Sequence, residues 1–166
     1  MGDGQMRAKH LFDKRVAVVL MTALVALGVS SCAPPASSTP GASAPGDVSA
    51  IVQAMNQDRA AAGLGSLGYN DQLAASGANW ASSIAAGGSL VHQNLSAILA
   101  QPSYSGYHTI GENLLVGPDG MSAGAMESAW MNSPGHRANI LGAFSTVGVG
   151  IAHSGGRIWV AVEFGG

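Results

Sequence analysis

Few groups in this chain of 166 residues could carry chemistry. His92 sits in "SLVHQN", His108 and Glu112 in "YHTIGENL", Glu127 in "GAMESAWM" and His136 in "WMNSPGHRANIL". Two imidazoles with one or two carboxylates are enough to hold a divalent cation such as zinc, or to run general acid–base chemistry. There is no G-x-S-x-G elbow and no H-E-x-x-H helix, and Cys32, the only cysteine, cannot build a cysteine-based zinc site. Each candidate taken singly also has an ordinary structural reading. A histidine near a helix end can cap it, and Glu112, between Gly111 and Asn113, can bond amides of its own loop. His153 lies beside an expected hairpin turn and reads as solvated, so it stays outside the set. Spacing alone does not show that the others converge.

The elements that must position these groups begin well inside the chain. "MGDGQMRAKHLFDKR" carries Arg7, Lys9, Lys14 and Arg15, and "VAVVLMTALVALGV" follows without a charge. A basic head before an apolar run too short to span comfortably reads as an export signal over residues 1–31. The run ends in "VSSC", which resembles a bacterial lipobox and implies acylation of Cys32 and a membrane anchor; read as an ordinary signal peptide, it implies cleavage near Ala33 and a secreted protein. Residues 32–47, "CAPPASSTPGASAPGD", cannot bury apolar area and read as a disordered spacer. One domain is expected over 48–166. From Cys32 onward seven acids face three arginines, a net charge of −4. Such a surface attracts neither nucleic acid nor an anionic bilayer.

Within the domain, "DVSAIVQAMNQDRAAAG" predicts a helix capped by Asp47 and closed by Gly63, with Val48, Ile51, Val52 and Met55 on one face. "NDQLAASGANWASSIAAGG" predicts a second, capped by Asn70 or Asp71 and ended by Gly87; Gly77 and its alanines invite close approach of another element. "NLSAILA" is a short helix and "QPSYSGYHTIGEN" a long loop. "SAGAMESAWMN" predicts a third main helix, stopped at Ser133-Pro134-Gly135. "TVGVGIAHS" and "RIWVAVEF" alternate at the period of strands, and Gly155-Gly156 between them signals a hairpin turn. "NLLV" can add a strand. Helices first and an antiparallel sheet last give an α+β layered domain.

"MNQDRAAAGLGSLGYNDQLAASGANWA", "LVHQN", "GENLLVG", "AWMNSPGHRANIL" and "STVGVGIA…IWVAVEF" resemble, in this order, the CAP superfamily of cysteine-rich secretory, antigen 5 and pathogenesis-related proteins with their bacterial SCP-like relatives. The resemblance covers essentially all of 48–166. It implies a three-layer α-β-α sandwich with a mainly antiparallel central sheet, and a cleft lined by two histidines and two glutamates. Those positions carry over to His92, Glu112 and His136, with His108 as a rival to His92. The second glutamate's place, three residues after Trp130, is taken by Ser133. Glu127, one turn before Trp130, is the candidate substitute. The helix is then expected to stop so that His136 turns into the cleft facing Glu112, while Arg137 makes an ion pair or carbonyl bonds and Asn139 bonds the loop.

Three functions follow. The first is an extracytoplasmic, lipid-anchored binding module of the cell envelope, its cleft holding a divalent cation and its apolar grooves a lipid or partner protein. The second is a hydrolase acting on envelope peptides or polymers through a metal-activated water or a Glu112/His136 base. In the third, the His/Glu cluster only stiffens the long loop.

Overall fold

The structure, a computed structural model, describes residues 46–166. The export signal, Cys32 and the spacer through residue 45 lie outside the described residues. The first helix, α1 (Gly46–Ala61), starts inside the expected spacer and ahead of Asp47. It buries Val48, Ile51 and Met55 of the expected stripe and leaves Val52 half-buried against the core. Gly63 follows it at φ +74°, a left-handed conformation that costs glycine little. The second, α2 (Asp71–Gly87), is capped by Asn70, whose side chain accepts from the Leu73 amide at 3.0 Å. It ends on Gly88, one residue past the expected terminator.

The sheet comprises β1 (Gly68–Tyr69), β2 (Ile110–Pro118), β3 (Thr146–Ser154) and β4 (Arg157–Gly165), ordered β1-β3-β4-β2. The β2-β4 and β4-β3 pairs are antiparallel, and β3 turns into β4 through Gly155 and Gly156, both at positive φ. The short β1, absent from the sequence reading, pairs parallel to β3 and makes the sheet mixed. On one face Val147, Val149, Val160, Val162 and Phe164 form a core with α1, α4 (Ala123–Met131) and α5 (Pro134–Ile140). On the other, Leu114, Trp159 and Ala161 pack with Ala81 and Ile84 of α2. The result is the expected three-layer α-β-α sandwich.

Helix α2 rests on the sheet backbone to backbone. A Cβ at Gly77 would lie 2.9 Å from the Ala161 carbonyl oxygen, and one at Gly150 would collide with the backbone of Gly77 and Ala78. Only glycine at both positions permits this spacing.

Two expectations about the site's supports are corrected. Glu112 lies within β2, not in a loop, because Ile110–Pro118 pairs along its whole length with β4. Ser133-Pro134-Gly135 ends α4 but also starts α5, since proline has no amide to satisfy and is suited to a helix's first turn. His136 therefore sits in the opening turn of a helix.

Candidate functional site

The β2-β4 register sets two glutamates directly opposite each other, Glu112 on β2 and Glu163 on β4. Both are buried, and both share the α2 face of the sheet with Leu114 and Ala161. The loop before α3 (Leu95–Leu99) folds over them. His92 Nδ1 lies 2.7 Å from Glu112 Oε1, and the Gln93 amide donates to the same oxygen at 3.1 Å. The Gln93 side chain donates from Nε2 to Glu112 Oε2 at 2.9 Å and to Glu163 Oε1 at 2.7 Å. Gln93 thus ties two carboxyls that would otherwise repel across the strands. The His92 side chain is 60% exposed and that of Glu112 0%, so a buried acid orients a solvent-facing imidazole.

Glu163 Oε2 is buried with no hydrogen-bond partner among the described residues. Burial pushes its carboxyl above the ordinary glutamate range; facing Ser76 and Gln93 pull it back, and Glu112 pushes it up again.

His136 arrives from the other side. Asn113, fully buried, donates from Nδ2 to the His136 carbonyl at 3.0 Å. Asn139, one turn on, donates to the Glu112 carbonyl at 3.0 Å and to Asn113 Oδ1 at 2.8 Å. These bonds latch α5 to the outer edge of β2 and bring His136 to the cleft. Burial, then the nearby His92, hold its pKa below the usual histidine value, which favours a neutral ring. His92, Glu112 and His136, with Leu95, Ile110, Ser133 and Asn139, line one open cleft of about 360 Å³.

The other expected residues lie elsewhere. His108 is exposed, does not line the cleft, and is held by its backbone amide to the Gly166 carbonyl at 2.7 Å. Glu127 does not fill the fourth corner. It is buried between α4 and α1, facing Asp58. Burial, together with Asp58 on α1, pushes its carboxyl up to about 8. Arg137 is exposed and makes neither an ion pair nor a carbonyl bond with the described residues. The carbonyl-binding arginine is Arg59, which donates to Gly65, Ile140, Gly142 and Phe144 at 2.8–3.1 Å and so fixes the end of α5. His153 is exposed, as expected, and pairs with Asp119 at 2.7 Å.

Of the ligands expected for a divalent ion, Glu112 spends both oxygens on His92 and Gln93, which leaves the free edges of two imidazoles, and Ser133 stands at the fourth corner. Among the described residues no three of His, Cys, Asp and Glu are grouped to hold a metal ion. Sequence reasoning missed Glu163 and Gln93. The signal was the unbroken "WVAVEF", whose flanking apolar residues mark a strand buried on both faces.

Comparison with known proteins agrees with this architecture. The family description that matches residues 52–163 is "Cysteine-rich secretory protein family". No curated protein matches the sequence. An outer surface protein of Borrelia burgdorferi superposes with a TM-score of 0.61 at 17% identity, over 72% of this chain and 91% of that one. A cysteine-rich secretory protein of Staphylococcus aureus gives 0.61 at 21% identity over 75% of this chain. An extracellular SCP-domain protein of Bacillus anthracis gives 0.59 at 22% over 72%. This chain spans 40% of each of the last two. With the family description matching most of the domain and the three-layer sandwich in place, the chain belongs to the cysteine-rich secretory protein (CAP) family.

Proposed function

We propose that this chain is an extracytoplasmic binding module of the cell envelope, tethered by an acyl group on Cys32, with its ligand site in the cleft between His92 and His136. One observation carries the cleft reading. Both oxygens of buried Glu112 are engaged by three hydrogen bonds inside the protein. An acid held this way orients His92 and is not free to act as a nucleophile. Two imidazole edges above Leu95 and Ile110 suit a hydrogen-bonding group on an apolar stem. The export signal supports the location, as do the surface and extracellular proteins that share the fold. No described helix is long and apolar enough to cross a membrane.

The anchor is tested by mass spectrometry of the mature N-terminus and by Cys32→Ser, which should release the protein from membranes. The cleft is tested by screening short-chain amphiphiles against the labelled protein by NMR. Hits should shift His92 and His136 together and be lost in His136→Ala; hits that leave both rings unmoved would refute the site. A second reading, an envelope hydrolase, is favoured by the 2.7 Å His92–Glu112 contact, the geometry of an oriented general base. Turnover of peptidoglycan that disappears in His92→Ala would select it.

A further inference from the structure

At the β2 edge side chains reach two of the outward carbonyls: Asn139 Nδ2 donates to the Glu112 oxygen at 3.0 Å and Trp130 Nε1 to the Leu114 oxygen at 3.1 Å. At the other edge β1 covers β3 only at Thr146 and Val147. The Asn70 amide donates to the Val147 carbonyl at 2.9 Å, which fixes the side to which Val147 points. Residues two apart along a strand present their amide and carbonyl to the same side, so Val149, Ile151 and His153 point the same way, past the end of β1. Among the described residues nothing hydrogen-bonds to these groups. The intervening Gly148, Gly150 and Ala152 face β4.

This bare edge opens on a groove of about 480 Å³ between the start of α1 and α2, walled by Val48, Tyr69, Ala75, Ala78 and Ile151. Natural sheets blunt exposed edges with prolines, lysines or covering side chains. Here the accessible part of the edge is half-buried Ile151 and exposed His153, beyond buried Val149, with none of those devices.

We infer that the free edge of β3 is a strand-addition site, taking an extended, basic segment of a partner protein into the groove beside α2. The occupant follows from the donors. A row of paired amides and carbonyls at strand spacing matches only another extended backbone, and the apolar walls take its alternate side chains. Charge selects among extended backbones. Asp71 lines the groove with no Lys or Arg, and residues 48–166 carry six acids against three arginines. A second copy would bring like charges together. The chain's own spacer has prolines at 34, 35, 40 and 45, each of which removes a ladder donor.

The probe is a short synthetic peptide alternating valine and lysine, added to the ¹⁵N-labelled full chain. Amide exchange in the free protein should alternate along the outer half of β3, fast at Ile151 and His153 and slow at Gly148 and Gly150. Saturating peptide should protect the fast set. N-methylating the peptide's edge-facing amides should weaken binding at least tenfold, and so should Ala75→Arg, an exposed substitution that places a cation in the groove. Ile151→Pro, which removes an outward amide and leaves the β4 ladder intact, should abolish protection. The proposal is overturned if the peptide fails to bind, if N-methylation has no effect, or if protection appears elsewhere. It is equally overturned if the chain dimerises in sedimentation through this edge, or if the edge is already protected and is exposed by deleting residues 33–45.

Discussion

Replacing Glu127 by glutamine should make the domain more stable at pH 8 and change little at pH 5. Glu127 is 4% exposed, and its carboxyl is pushed up from 4.5 to about 8 by burial and then by its hydrogen bond to, and the charge of, Asp58. Between those values the folded state binds a proton that the unfolded state has released. Stability from this group is therefore complete below pH 4.5 and is lost as pH rises toward 8. At about 1.4 kcal/mol per unit, the loss amounts to on the order of 4–5 kcal/mol before α1 and α4 relax. Glutamine keeps the shape and carries no charge, so the difference between variant and parent should grow across that window. For a domain of this size each kcal/mol moves the melting temperature by roughly 3–5 °C. Urea and thermal unfolding at pH 5, 6.5 and 8 read the effect. A pH-independent difference, or a glutamine variant less stable at pH 8, would show that Glu127 is ionised in the folded protein.

Three further outcomes are expected. Gly150→Ala forces a Cβ into the backbone of Gly77 and Ala78, and should cost about 3 kcal/mol or more in urea unfolding. Asn139→Ala strips bonds from the Glu112 carbonyl and buried Asn113, and should cost about 2–3 kcal/mol while freeing the His136 ring, seen as broadened imidazole signals. His136 should titrate below 6.5 by NMR, with His92→Ala raising the midpoint, and the stability tied to its neutral ring should fall as pH drops through that region.

The readable parts of this fold were those set by local chemistry. The α2 stripe with Gly77, the Gly155-Gly156 turn and the alternation of β3 and β4 each follow from a period or a backbone requirement. His92, Glu112 and His136 meet in one cleft, but that convergence came from family resemblance, since neither spacing nor propensity brings positions 92 and 136 together. What escaped depends on tertiary context. β1 is two residues long and exists only because β3 lies alongside it. Pro134 signals both an end and a beginning, and the beginning was missed. Glu163 looks like a solvated strand position until α2 and the Gln93 loop cover it. Arg59 and Arg137 are equally arginine in sequence, and only the fold decides which one meets a row of carbonyls.

At the centre of the cleft Glu112 is held by His92 and Gln93, and the proposed site is a preformed polar one that needs no metal. Long-range ¹H–¹⁵N NMR of the imidazoles at about pH 7.5, before and after one equivalent of zinc, tests this most directly. The expected result is a His92 protonated at Nδ1, a neutral His136, and no change on adding zinc. Loss of the Nδ1 proton with both rings shifting together on zinc addition would contradict it.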